Sequence, residues 1–180
     1  MPSKRELPAP WSDFLHAVDQ GLSVPVELRC SGGFVLAVVY GVPRFTGDLD
    51  YLEAAPLRAY EELERLSGRD SKLAKKYKLY LQRAGGVTDL PDGYEERLRG
   101  LDLGFSKLFL KILEPYDLLL SKLTRNSPKD REDIKYLAGK LNLNFSTLLE
   151  RYSKEMKPWL PNVDRHELTL NVVWREYFAE

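Results

Sequence analysis

The feature that most constrains this chain is a pair of aspartates one residue apart, Asp48 and Asp50, preceded by the small-residue turn Ser31-Gly32-Gly33. Alternate residues of a strand project from the same face, so a strand beginning at Asp48 shows both carboxylates on one side. Aspartate is depleted in strands. Two on one face, beside apolar Leu49 and Leu52, call for a compensating charge, and a bound cation is the simplest source. Carboxylates are the hard oxygen ligands that a divalent cation takes, and the backbone N–H groups of a glycine turn suit phosphate. Taken alone, Gly32-Gly33 reads first as an ordinary strand-to-helix turn that needs a left-handed residue.

Hydrophobic spacing supplies the surrounding elements. Trp11, Phe14, Leu15 and Val18 predict a helix over 11–20, with Ser12 as cap and Gly21 as stop. Residues 24–30 alternate as a short strand. Residues 34–40 are apolar all round, which predicts a buried helix stopped by Gly41 and Pro43. The second strand covers 48–52, and Pro56 suits the first position of a helix over 57–66. Leu73, Tyr77, Tyr80 and Leu81 share one side of a predicted helix over 71–83. Gly85-Gly86 breaks that pattern. Residues 87–90 then read as a third strand, 95–103 carry a weak strand signal, and 108–113 form a stronger one. From Pro115 onward the spacing is helical, over 116–124, 129–141, 146–157 and 165–178. The expected class is α+β: a small mixed β-sheet core flanked by helices over 1–113, and an all-helical C-terminal region over 114–180.

Composition narrows the function classes. With 180 residues, 43% of them hydrophobic, the chain has material for one domain with a proper core, or for one domain with a helical appendage. Lys+Arg and Asp+Glu stand at 27 each, so any nucleic-acid binding must come from a local patch. The single cysteine, Cys30, excludes an intrachain disulfide framework. His16 and His166 lie too far apart in sequence to suggest a His-rich zinc site. The opening Met-Pro-Ser-Lys-Arg-Glu lacks a signal-peptide apolar run, and the 34–40 run is too short to span a bilayer. The expectation is a soluble, cytoplasmic chain with no membrane partner.

Several other residues are candidates for chemistry. Arg44-Phe45-Thr46-Gly47 brings a cation and a hydroxyl to the start of the aspartate strand, and the chemistry implied is nucleotidyl transfer from a metal-bound triphosphate. Asp89, in Val-Thr-Asp-Leu, is the candidate third carboxylate; it serves equally well to begin the turn at Pro91, and Asp102 is the reserve. Lys122 and Arg125 lie three apart on one helical face. Ser127 with Asp130 reads as a capping box with Pro128 at the first helical position, which gives Asp130 a structural role of its own. Asp133 is not spent on that cap. Residues 69–83 carry Arg69, Lys72, Lys75, Lys76, Lys78 and Arg83 against Asp70, with Tyr77 and Tyr80 interleaved. That run reads first as a basic helix face, and second as an RNA platform. Trp159, Trp174, Tyr177 and Phe178 fall at core-like spacing.

Together, Gly32-Gly33 and Arg44-x-Thr46-x-Asp48-Leu49-Asp50 resemble the nucleotidyltransferase-fold signature. With Lys122 and the acidic helix start after it, they are similar to the uncharacterised bacterial nucleotidyltransferases related to the AbiEii-type toxins of toxin–antitoxin systems. The resemblance implies Mg²⁺ or Mn²⁺ as cofactor and a nucleoside triphosphate (NTP) as substrate. It implies Asp48, Asp50 and Asp89 as metal ligands, with Lys122, Asp130 and Asp133 joining them in catalysis. Ser31, Gly32, Gly33, Arg44, Thr46, Lys122 and Arg125 form the implied nucleotide-binding set. The acceptor would be RNA such as tRNA, a protein or a small molecule, and a cognate antitoxin would be a partner. The alternative is a non-catalytic nucleotide-binding or partner-binding module that keeps the fold.

Overall fold

The computed structural model describes residues 6–84 and 88–178. In chain order the elements are α1 (Trp11–Gly21), β1 (Val26–Ser31), α2 (Gly32–Phe34, continued by a wider π-helical stretch Val35–Val39), β2 (Asp48–Ala55), a 3-10 turn Leu57–Ala59 and α3 (Tyr60–Ser67). Next come α4 (Lys72–Tyr77), β3 (Tyr80–Arg83), α5 (Tyr94–Arg97), β4 (Arg99–Leu101) and β5 (Leu108–Ile112). The rest is helical: α6 (Pro115–Leu120), α7 (Pro128–Lys140), α8 (Phe145–Glu155) and α9 (Val163–Leu168), which runs on through Thr169–Trp174 and Arg175–Tyr177. Among the described residues helix makes up 50% and strand 15%, with one mixed sheet, so the α+β class holds.

The chain divides into two compact units: the described residues of Met1–Gly85 with Leu98–Leu113, and those of Gly86–Arg97 with Glu114–Glu180. The first unit carries the sheet, in the order β3-β2-β1-β5-β4. The pairs β1/β2 and β4/β5 are antiparallel, whereas β1/β5 and β2/β3 are parallel. Burial alternates along β2: Leu49 and Tyr51 face the core and Asp48 and Asp50 the other side. The core under the sheet gathers Phe14, Leu15 and Val18 of α1, Leu28 and Cys30 of β1, and Phe34 to Leu36. That explains why 34–40 is apolar nearly all round. Gly21 ends α1 where a Cβ would meet Leu66 at 2.7 Å, so a glycine there permits close helix packing.

Asp19 ties α1 to the sheet. Its buried carboxylate accepts the backbone N–H groups of Ser106, Lys107 and Leu108 at 3.1, 2.7 and 2.8 Å, fixing the entry to β5. Burial pushes this carboxyl up, but the three amides and the Ser106 hydroxyl outweigh it and leave it below its ordinary value.

The second unit is organised by buried ion pairs. Asp117 of α6, fully buried, accepts Arg97 at 2.8 Å and Arg151 at 3.0 Å, and Arg151 also pairs with Glu114. Glu114 caps α6 through the Asp117 N–H at 2.8 Å. The predicted capping box at Ser127 is present, with Pro128 at the first position of α7. Trp174 and Phe178 are buried, as their spacing suggested, whereas Trp159 is 43% exposed.

Three expectations are corrected. The helix expected over 71–83 stops at Tyr77, because Lys78 takes a left-handed φ of 59° and the chain turns into β3 beside β2. Residues 88–90 form no strand: β3 fills the place beside β2, and 88–90 are non-regular chain leading to Pro91; Val87 and the Gly85-Gly86 break lie outside the described residues. Ser12 does not cap α1, whose N-cap is Pro10 without a side-chain bond.

Asp19→Ala is expected to lose about 2–4 kcal/mol by leaving three amides without their acceptor. Because the folded carboxyl lies below its ordinary 3.8, the stability it confers is present above that pH and drains away below it. Urea unfolding at neutral pH and at about pH 3 checks both statements. A loss under about 1 kcal/mol at neutral pH would contradict the anchoring role.

Candidate functional site

The site forms where β1 ends against β2. Their register sets Ser31 opposite Asp50 and Cys30 opposite Tyr51, after a bulge between Arg29 and Cys30. The chain then turns through Gly32, whose φ of 69° is the left-handed conformation that glycine adopts without strain. A methyl group on Gly32 would overlap the Asp50 carboxylate. On Gly33 it would sit 2.9 Å from Thr46 Oγ1 and 3.2 Å from Arg44 Nη2. The two glycines thus let the turn lie directly on the residues singled out from the sequence. Ser31 is buried and its side chain makes no cap to α2.

Thr46 Oγ1 donates toward both the backbone carbonyl and the Oδ1 carboxylate oxygen of Asp48, at 3.1 Å each, and fixes the first acid. Residues 44–46 alternate: Arg44 and Thr46 turn toward Gly33, while Phe45 is 84% exposed. Cys30 lies beneath the second acid. Burial, and then the charge of Asp50, push its thiol far up, so it is no nucleophile.

The parallel β2/β3 register sets Tyr80 opposite Asp48 and Gln82 opposite Asp50. Gln82 Nε2 donates to Asp48 Oδ2 at 3.0 Å and to Asp50 Oδ1 at 2.8 Å, which shows the two carboxylates sharing one face. The Tyr80 hydroxyl reaches Asp48 Oδ2 at 3.5 Å and accepts Arg69 Nη2 at 2.6 Å. Sequence reading missed Gln82 altogether and gave Tyr80 and Arg69 to a basic helix face or an RNA platform. The overlooked signal was the alternation of buried Leu79 and Leu81 with Tyr80 and Gln82, which is strand spacing. The two tyrosine rings are already engaged: Tyr77 stacks edge-on with Phe14 at 6.0 Å, and Arg69 lies over Tyr80 at 4.8 Å.

The acid pair, with the glycine turn closed on Asp50, offers the oxygen donors of a hard cation and a backbone cradle beside them. Among the described residues, no group of three or more His, Cys, Asp or Glu is placed to hold a metal ion. Asp89 belongs to the second unit, where its charge acts on His166. Asp102 accepts the Gly104 N–H at 3.2 Å in its own turn.

Lys122, Asp130 and Asp133 come together within the second unit. The Lys122 ammonium, 6% exposed, lies 2.9 Å from Asp130 Oδ1 and 3.4 Å from Asp133 Oδ2. Asp130 also accepts Arg125 Nε at 2.7 Å and the Ser127 hydroxyl at 2.7 Å. Burial pushes the Asp130 carboxyl up, but the bonds from Arg125 and Lys122, the Lys122 charge and the Ser127 hydroxyl hold it well below the usual carboxylate range. In this arrangement Lys122 and Arg125 together balance the two acids, and the cluster joins the chain after α6 to the start of α7.

Gly32→Ala is expected to cost about 1–3 kcal/mol, from the left-handed backbone and the displaced Asp50 side chain. Thermal unfolding checks this, and an unchanged midpoint would contradict the close approach.

No curated protein and no solved structure matches the chain. A family model described as a nucleotidyltransferase of unknown function (DUF6036) matches residues 12–180, and the chain belongs to that family.

Proposed function

We propose that the protein is a divalent-cation-dependent nucleotidyltransferase whose site is Asp48, Asp50 and the turn at Ser31-Gly32-Gly33. The observation that carries this reading is the seating of Gly32 on the Asp50 carboxylate, which brings the backbone of the glycine turn against a pair of acids. Asp48 and Asp50 hold Mg²⁺ or Mn²⁺, Thr46 keeps Asp48 in place, and Arg44 faces the triphosphate beside Gly33. When bound, the cation offsets charge on the triphosphate as the transfer proceeds. An acceptor hydroxyl oxygen bonds to the α-phosphorus, the bond from that phosphorus to the β-bridging oxygen breaks, pyrophosphate leaves, and the acceptor proton passes to solvent.

The acceptor is RNA, a protein hydroxyl or a small molecule. Resemblance to the AbiEii-type toxins puts RNA first and a cognate antitoxin among the partners. The exposed Lys72, Lys75, Lys76 and Lys78, in the same unit as the acid pair, support that order. A second reading, a nucleotide-binding module without transfer, is favoured by one observation: the side chain that β3 brings to the pair is the uncharged Gln82.

Isothermal titration of the four NTPs with Mg²⁺, on wild type and on the Asp48→Asn/Asp50→Asn variant, tests the site. Binding that needs the metal and weakens at least about tenfold in the variant is the expected result. Equal affinity in the two proteins would refute it. Pyrophosphate release in the presence of bulk RNA then separates transfer from binding alone.

A further inference from the structure

Gln82 has no role in the family description, yet it donates to both acids of the pair. One nitrogen serves both acids, at 3.0 Å to Asp48 Oδ2 and 2.8 Å to Asp50 Oδ1. A side-chain amide has a donor end and an acceptor end. With only protein around it, the donor end is the one that belongs here, because its N–H groups offset the repulsion of two carboxylates on one strand face. A cation among the same oxygens reverses the preference. The N–H dipoles then point their positive ends at positive charge, whereas the carbonyl oxygen is an additional hard donor. Rotation about the last side-chain bond exchanges the two ends without moving β3, and that torsion is soft.

Resting on the cation site of the proposed function, we propose that Gln82 is its third, uncharged ligand. Its amide nitrogen secures Asp48 and Asp50 while the site holds no cation, and its carbonyl oxygen Oε1 turns to the cation when one binds. The consequence is a limit on charge. One divalent cation neutralises the two carboxylates. A second would meet an excess of positive charge, to which Arg44 adds beside Gly33 and Arg69 adds through the Tyr80 hydroxyl that reaches Asp48. The chain alone therefore takes up one divalent cation, and a second enters only with the negative charge of a triphosphate.

The probe is Mn²⁺ without nucleotide, followed by the electron paramagnetic resonance of the free ion, on the full chain and on Gln82→Glu, Gln82→Leu and Asp48→Asn. Wild type is expected to bind one Mn²⁺. Affinity should rise about tenfold in Gln82→Glu, which restores a charge, and fall about fivefold in Gln82→Leu, which removes the oxygen. Thermal unfolding supplies a readout that a merely structural glutamine would not move. Gln82→Glu should melt below wild type in chelator, from three clustered carboxylates, and gain more than wild type on adding Mn²⁺.

Wild-type affinity in Gln82→Leu, two Mn²⁺ bound to wild type without nucleotide, or equal Mn²⁺ stabilisation of wild type and Gln82→Glu would each overturn the proposal. If Gln82→Leu does not fold, the Gln82→Glu measurements decide alone. Failure of the underlying site looks different: wild type then binds no Mn²⁺, or Asp48→Asn binds it as well as wild type does.

Discussion

Two carboxylates on adjacent same-face positions of a strand repel each other, and the sheet around Asp48 and Asp50 is arranged to hold them together. Gln82 donates to both from β3, and Thr46 donates to Asp48. The β1 chain then leaves the sheet through a left-handed glycine packed against Asp50. Each support depends on register. A shift of one residue in β2 would turn both acids into the core and Leu49 and Tyr51 out of it. Between Arg29 and Cys30 the register skips Leu52, so β2 carries an extra residue just beyond the acid pair, where it re-aims the strand.

The second unit answers a different problem, buried charge. Asp117 and Asp130 are both fully buried, and each is surrounded by cations: Arg97 and Arg151 for the first, Lys122 and Arg125 for the second. Removing one partner from such a cluster leaves a charge in a poor solvent, which costs more than the pair contributes. These clusters fix where α5, α6, α7 and α8 meet.

What could be read from the sequence was what depends on short spacing. The i, i+2 aspartates, the Gly-Gly turn, and the Ser127-Pro128-Asp130 cap are local rules, and each appears in the structure at the residues expected. The error over 71–83 had a physical cause. Leu73, Tyr77, Tyr80 and Leu81 satisfy a helical repeat, but β3 is stabilised by pairing with β2, some thirty positions earlier, which no local window registers. Gln82 escaped notice because an uncharged side chain gives no sequence signal of chemistry. The burial of Lys122 was equally hidden, since only the folded chain brings Asp133 beside it.

In the proposed function, the acid pair and the glycine turn together receive a cation-bound triphosphate. Anomalous scattering from crystals grown with Mn²⁺ and a non-hydrolysable NTP tests it most directly. The expected result is a manganese peak ligated by Asp48 and Asp50, with the phosphates against the backbone of residues 31–33. A nucleotide bound with its metal elsewhere, leaving both aspartates unligated, would contradict it.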